Sequence, residues 1–388
     1  MAWNMIFDLN DEQKKLRDRI RQLAQQHIAP QAARWDEEEI FPRAAIDALA
    51  AEGLLGMAIP RQYGGLELDL LSYAIALEEI ARYDGGTALT LTAHNTLAAG
   101  HLKISGTSKQ KERYLPALAS GEMLGAWALS ETTTGSDAAS LQTQAERTRE
   151  GWRLNGSKMF VTLGSVAGLF IVLARTSRQE DKRHAGISAF LVPAEAAGVK
   201  RGAKLKKMGC RSSDTTSLLL KNVQLSDEAL LGREGKAFAD IMAVLDRGRV
   251  GMAAMAVGIA RACLEEALAY ARRRKQFGQP IGKAQAIQWM LADMATEIDA
   301  ARLLVWRAAA RITAGEQGTR EAAMAKLHAS EVATRAANTA LQIHGGYGYL
   351  RDFSVERYLR DAKACELGEG TSEMQRLVIA RELLGPLS

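Results

Sequence analysis

The sequence predicts an α+β fold, mainly α, in three consecutive blocks. These are an N-terminal helical domain over residues 1–125, a middle β-domain over 126–232 and a C-terminal helical bundle over 233–388. Apolar residues recur at helical spacing in the first and last blocks, whereas the middle block alternates short β-branched runs with turns. The length of 388 residues also suits two or three domains, at roughly 100–200 residues each.

In the first block, Leu9, Leu16, Ile20, Leu23 and His27 fall on one helical face. Asn10, with Gln13 three residues on, marks the start of that helix, because an Asn side chain accepts an orphan N–H of the first turn. Pro30, Pro42 and Pro60 mark boundaries, and Tyr63-Gly64-Gly65 is a turn. Helices are predicted over 70–82 and over 85–103, the second mostly buried because its polar residues are small.

In the middle block, strands are predicted at 125–129, 151–155, 160–163, 170–174, 187–192 and 218–223. Asn155-Gly156 is predicted to be a hairpin turn, since both residues accept positive φ. Short strands at close spacing argue for a small antiparallel sandwich or barrel. In the last block, Phe238, Ile241, Met242, Leu245, Met252, Met255 and Ile259 set amphipathic patterns, and Ala-rich stretches allow close helix packing.

Composition narrows the function classes. A hydrophobic fraction of 47% and a charged fraction of 24% exclude a disordered, collagen-like or low-complexity chain. Cys210, Cys263 and Cys365 lie far apart and form no CxxC pair, so no disulfide framework is expected and a reducing, cytoplasmic setting is the default. The net charge of +5 is small and dispersed, which reads as a solvated surface rather than a nucleic-acid face. The uncharged run 159–174 is shorter than the ~20 residues of a membrane span and contains Thr162, Gly164, Ser165 and Gly168. Thr, Asn and His residues disqualify 85–102 as a span. The first residues carry no basic region before an apolar core, so no signal peptide is expected.

Nucleotide and metal motifs fail. In Gly-Trp-Arg-Leu-Asn-Gly-Ser-Lys at 151–158, Ser157 stands where a phosphate loop requires Lys. There is no GxGxxG after a predicted strand, no HExxH and no GxSxG, and none of the six histidines pairs at helical ligand spacing.

Two C-terminal segments are unusual. Gly345-Gly346 stops a long helix and offers backbone without side chains to a ligand. Leu367-Gly368-Glu369-Gly370-Thr371-Ser372-Glu373 puts one carboxylate between glycines, just before a helix that Ser372 and Gln375 are predicted to cap and that runs to about Leu384. The stretch Gln342, Gly345-Gly346-Tyr347-Gly348-Tyr349, Asp352, Arg357, Asp361 resembles the C-terminal signature of the acyl-CoA dehydrogenase family. Ala128-Leu129-Ser130-Glu131-Thr132-Thr133-Thr134-Gly135-Ser136-Asp137 is similar to its upstream signature, with Thr132 where the family usually has Pro and Thr134 where it often has Ala. Arg274-Lys275-Gln276-Phe277-Gly278 resembles its RxxFG segment.

The resemblance spans nearly the whole chain. It implies a C-terminal four-helix bundle and a homo-oligomer, usually a tetramer, with FAD held without a covalent bond between the β-domain, the bundle and a neighbouring subunit. The implied reaction is α,β-dehydrogenation of an acyl-CoA thioester. The α-proton goes to Glu369 and the β-hydrogen leaves as hydride to the flavin. Electron-transferring flavoprotein is the implied acceptor. An oxidase that uses O2 is the alternative, and a nucleic-acid-binding relative is disfavoured by the dispersed charge. A free Glu, at a pKa of about 4.3, is too weak a base for this proton. Burial raises it, a helix N-terminus lowers it by about 0.3–1 kcal/mol, and burial is expected to dominate.

By the same resemblance, Trp127, Leu129, Ser130, Phe160 and Thr162 line the flavin ring, Phe160 standing where many relatives have Trp, and Thr371 is a further flavin-side contact. Gly135 and Ser136 join the cofactor loop. Arg274, from the adjacent subunit, pairs with the pyrophosphate, and Gln276, Phe277, Ile281, Gln285, Gln342, Ile343 and Gly346 accompany it toward the adenosine. Ser136, Phe238, Leu245, Asp246, Arg249 and Gly370 are implied for the acyl-CoA. Some relatives carry the base one residue before the Arg; here that residue is Gly248. Gly368 stands where several straight-chain relatives have Tyr, which predicts extra room for a branched or cyclic acyl group.

Overall fold

The computed structural model describes residues 8–177 and 183–385; residues 1–7, where no signal peptide is expected, lie outside the described residues. The molecule is mainly helical, with an N-terminal helical region, a central mixed sheet and a C-terminal bundle.

The N-terminal helices are α1 (Asp11–His27), α2 (Ala32–Glu37), α3 (Arg43–Ala51), α4 (Leu70–Ala81), α5 (Gly85–Thr92), α6 (Gly100–Ser105) and α7 (Ser108–Ser120). The predicted cap on α1 forms in both directions: the Asn10 side-chain oxygen accepts Gln13 N–H at 2.9 Å, and the Gln13 side-chain oxygen accepts Asn10 N–H at 3.0 Å. The helix predicted over 85–103 is continuous, but its centre, Ala93–Ala99, is wound as a π-helix between α5 and α6. Such insertions are rare and frequently mark functional sites. Here the segment buries His94, Asn95 and Thr96, and Asn95 Nδ2 donates to the Leu54 carbonyl at 3.0 Å.

The strands are β1 (Gly125–Ala128), β2 (Gln144–Thr148), β3 (Gly151–Thr162), β4 (Leu169–Arg175), β5 (Ile187–Pro193), β6 (Val199–Arg201), β7 (Thr215–Leu225) and β8 (Leu230–Leu231). They pair in the order β6-β7-β3-β2-β4-β5-β8, with β1 beside β4. Most pairs are antiparallel, as predicted, but β1 and the end of β2 both run parallel to β4. Two of the predicted strands, 151–155 and 160–163, are parts of one long β3.

Asn155-Gly156 is therefore not a turn. It lies inside β3 at a register shift against β7, and the Asn155 side chain accepts Asn222 N–H at 2.8 Å. Glycine is needed at 156 because φ is +153° and a β-carbon there would come within 2.5 Å of Thr143 Oγ1. The local turn signal reports a bulge with a close cross-strand neighbour.

The C-terminal helices are α8 (Ala237–Arg273), α9 (Gln285–Thr313), α10 (Thr319–His344), α11 (Val355–Leu367) and α12 (Ser372–Leu384). Buried alanines on α8 and α10, such as Ala253, Ala256, Ala333 and Ala337, let these helices pack closely. Between α8 and α9, β9 (Lys275–Gln276) and β10 (Gln279–Pro280) form a two-residue hairpin. Its tip, Phe277-Gly278, has φ of +51° and +79°, the positive pair of a type I′ turn. Among the described residues no helix is long and apolar enough to cross a membrane.

Candidate active site

Glu369 sits in the turn between α11 and α12 with φ +56°, a left-handed conformation that is strained for a residue with a side chain. The turn is held from two sides. Lys326 Nζ donates to the carbonyls of Glu366 and Gly370 at 2.9 and 2.7 Å. Gln375 Nε2 donates to the carbonyls of Glu369 and Gly370 at 3.1 and 2.8 Å. The cap of α12 differs from the prediction by one residue. Thr371, not Ser372, is the N-cap and accepts Met374 N–H at 3.4 Å, because Gln375 is engaged with the turn instead.

This geometry aims the carboxylate at α8, where it meets Gly248. A β-carbon at 248 would stand 1.7 Å from Glu369 Oε2. Oε2 itself is out of reach of solvent and has no hydrogen-bond partner. Burial pushes the Glu369 carboxyl up to about 8, against the opposing charges of Arg249 and Lys326. The expected contest is thus won by burial, and the opposition comes from two side-chain cations. Tyr73 of α4, 1% exposed, also faces the carboxylate, and burial raises its phenol.

Of the residues implied for acyl-CoA, Asp246 and Arg249 pair at 2.6 Å. The other Asp246 oxygen accepts Thr319 Oγ1 at 2.6 Å. Arg249 Nε is buried without a partner. Leu245 and Phe238 are half-buried on the same helix, with the Phe238 ring 5.5 Å from that of His184. Gly370 flanks the base, whereas Gly135 and Ser136 lie exposed on the loop after β1. At Gly368 a β-carbon would meet Met252 Cε, the far end of a flexible side chain, at 3.1 Å.

A second group gathers at the sheet. Trp127 is 9% exposed on β1, and its Nε1–H donates to His101 Nδ1 at 3.0 Å. Burial holds His101 down at about 4, so the ring is a neutral acceptor. Leu129 and Ser130 are half-buried, and their carbonyls accept Lys158 Nζ at 3.1 Å and Met159 N–H at 2.9 Å. Phe160 is 66% exposed at φ +58°, and Thr162, half-buried, ends the same strand. The turn with Thr132 in place of Pro is closed by reciprocal backbone bonds between Glu131 and Thr134, at 2.8 and 3.1 Å. Glu131 is further locked by Lys158 at 2.8 Å.

A third group lines a pocket of about 470 Å³ at the end of α8 and α10. It brings together Arg274, Gln276, Ile281, Ile343 and Gly346 with Tyr270, His344, Gly345, Tyr347 and Leu350. The Arg274 guanidinium stacks 5.2 Å from the Tyr347 ring centre. Phe277, fully exposed on its hairpin, and the exposed Gln285 and Gln342 are not in this wall. Thr371 is half-buried beside the base. Among the described residues no group of His, Cys, Asp and Glu is gathered to hold a metal ion.

The N-terminal, middle and C-terminal domain models of acyl-CoA dehydrogenases match residues 10–122, 126–223 and 235–384. The chain belongs to the acyl-CoA dehydrogenase family. It is 46% identical to the probable acyl-CoA dehydrogenase YngJ of Bacillus subtilis, over 98% of this chain and 100% of the relative. Butyryl-CoA dehydrogenase from Megasphaera elsdenii superposes with a TM-score of 0.95 at 41% identity, covering 98% of this chain and 100% of that one. A chain from a structure on the electron-transferring flavoprotein of Acidaminococcus fermentans gives a TM-score of 0.96 at 41% identity, with 98% and 100% covered. This acyl-CoA dehydrogenase is an FAD-dependent oxidoreductase that acts on the CH–CH bond of an acyl-CoA thioester.

Sequence reasoning gave Met252, Gln375 and Lys326 no place in the site: Met252 counted only toward an apolar helix face and Gln375 only toward the cap of α12. Lys326 left a readable signal: it shares a face of α10 with Ala322, Ala329 and Ala333, all buried.

Proposed function

We propose that this acyl-CoA dehydrogenase acts on a short-chain acyl thioester and that Glu369 is its base. The observation that carries this reading is the orphaned Oε2, a dry carboxylate oxygen against a helix that has no side chain at Gly248. A carboxyl raised to about 8 is a far stronger base once ionised than a free Glu. The similarity to a butyryl-CoA dehydrogenase supports a short acyl group.

The residues present fit FAD. Arg274 offers a planar guanidinium suited to a pyrophosphate, and Gly345 and Gly346 offer bare backbone with nothing within 4 Å of where a side chain would start. The roles assigned to Trp127, Leu129, Ser130, Phe160, Thr162 and Thr371 at the ring suit their mix of apolar, aromatic and hydroxyl surface. FAD, when bound, accepts the β-hydrogen as hydride. Glu369 takes the α-proton onto its carboxylate, and its backbone N–H faces the thioester oxygen where enolate charge gathers. Arg249, steered by Asp246, orients the CoA arm along Ser136, Phe238, Leu245 and Gly370.

We further propose the blocks 1–125, 126–232 and 233–388 as the domains, and a homotetramer as the working form. A Phe277 ring fully exposed on a strained hairpin buries nothing within one chain. A neighbour's cofactor site is the surface that it would complete, together with Gln276, Gln285 and Gln342. Electron-transferring flavoprotein is the proposed acceptor, supported by the similarity to the Acidaminococcus chain. The test is anaerobic bleaching of the flavin by a panel of straight, branched and alicyclic acyl-CoAs. Short straight chains should bleach it fastest, and preferential bleaching by a branched or ring substrate would overturn the chain-length assignment. Steady turnover with O2 and none with electron-transferring flavoprotein would make the enzyme an oxidase.

A further inference from the structure

Lys326 lies on α10, 0% exposed, and its ammonium donates only to two neutral carbonyls. Among the described residues it forms no ion pair at salt-bridge distance. A buried cation bonded only to carbonyls is expensive unless a negative charge answers it. The neighbouring charges are already matched. Arg249 is paired with Asp246 at 2.6 Å, and the Glu366 carboxylate with Lys363 at 2.5 Å. Of the two carboxylates left over, Glu373 is exposed to solvent, and the one with a buried oxygen is Glu369.

We propose that Lys326 is a positioning residue for the base: it ties down both shoulders of the Gly368-Glu369-Gly370 turn and supplies the unspent positive charge that favours the ionised carboxylate. The groups facing Glu369 are Arg249 from α8, Lys326 from α10 and Tyr73 from α4. Those facing Lys326 are Cys365, Glu369, Arg249 and Glu366, with Glu373 further out. Burial brings Lys326 down to about 8, and Glu369 is among the charges that hold it up. Gln375 grips the same turn without charge, which separates the two halves of the proposal.

The inference rests on Glu369 being the base, and its test reads the carboxyl directly. Holoenzyme with 13C-labelled Glu carboxyls is titrated by NMR, with the Glu369 signal assigned by Glu369→Gln. The pH profile of anaerobic flavin reduction is measured in parallel. Lys326→Met should move the Glu369 midpoint up, by less than the larger opposing charge of Arg249 contributes. Lys326→Gln, which keeps a donor for the carbonyls, should do the same, whereas Lys326→Arg, which keeps the charge, should not. Gln375→Leu should slow reduction without moving the midpoint. A midpoint unchanged in both Lys326→Met and Lys326→Gln would overturn the proposal. If Glu369→Gln still reduces flavin normally, the base lies elsewhere, and the NMR midpoints still decide whether Lys326 and Glu369 are coupled.

Discussion

Oε2 of Glu369 occupies the space into which a side chain at Gly248 would grow, 1.7 Å from where its β-carbon would stand. The two positions exclude each other: the carboxylate can lie against α8 only because residue 248 has no side chain. Glycine inside a helix costs about 0.5–1 kcal/mol relative to Ala, so Gly248→Ala should leave α8 intact. The displaced carboxylate should lower kcat by about 100-fold or more, the scale of loss from a 1 Å misplacement, while FAD content stays normal. Stopped-flow flavin reduction on protein of verified flavin content checks this, and a variant as fast as the parent would mean that Glu369 works from another position.

Glu369→Gln should keep FAD and bind acyl-CoA, yet lose flavin reduction by about 1000-fold or more, since a general base contributes 10²–10⁴-fold. In the parent the reduction rate should climb with pH and level off above about 8, where the carboxylate is formed. Near-normal reduction in the Gln variant would move the base elsewhere.

The same carboxyl shapes stability. Its midpoint rises from the ordinary 4.5 to about 8 on folding, so the native state binds this proton more tightly than the unfolded chain. Stability is then full below about 4.5 and declines as pH rises to about 8, beyond which it is level. Glu369→Gln removes that decline. Thermal melts of both holoenzymes should show the Gln variant gaining in Tm over the parent from pH 5 to pH 8, and a constant difference would contradict the buried, protonated state.

What could be read in the sequence was local, or carried by a motif. The Asn10–Gln13 cap is legible because both partners lie within one turn. The oddity of Gly-Glu-Gly is legible because its reason is backbone freedom at that spot. Asn155-Gly156 misleads because the glycine answers to Thr143, which meets it only across the sheet. The neighbour of Gly368 is hidden from the sequence in the same way, since Met252 arrives from another helix. Lys326 is legible in part, because Ala322, Ala329 and Ala333 share its face of α10, but the turn that it holds lies on another part of the chain.

Arg274→Ala should yield colourless protein of nearly normal stability. In the single chain this guanidinium is half-buried and stacks on Tyr347, an interaction of about 0.5–1 kcal/mol at an exposed site. Folding therefore loses little, whereas a pyrophosphate loses its cation. The ratio of flavin to protein absorbance after purification, with a melt of the apoprotein beside it, reads the two effects separately. Full flavin retention would remove Arg274 from the cofactor site.

Lys158→Met should destabilise the sheet more than any surface change. Lys158 and Glu131, with side chains 0% and 5% exposed, pair at 2.8 Å. Lys158 also holds the Leu129 carbonyl, while Glu131 accepts the N–H groups of Gln142 and Thr143 at 2.6 and 2.9 Å. The pair thus fixes the start and the end of the loop that follows β1. Burial raises Glu131, and Lys158 together with hydrogen bonds from Thr143 and Gln142 more than reverses it, so the carboxyl sits below its ordinary value. Removing the lysine strands that charge in a dry site, at about 3–5 kcal/mol. Replacing both partners, Glu131→Gln with Lys158→Met, should recover much of the loss, because an uncharged pair leaves nothing unanswered. Denaturant melts of the two single variants and the double variant close the cycle. Additive losses would show that the two residues act independently and that their ion pair does not hold the loop.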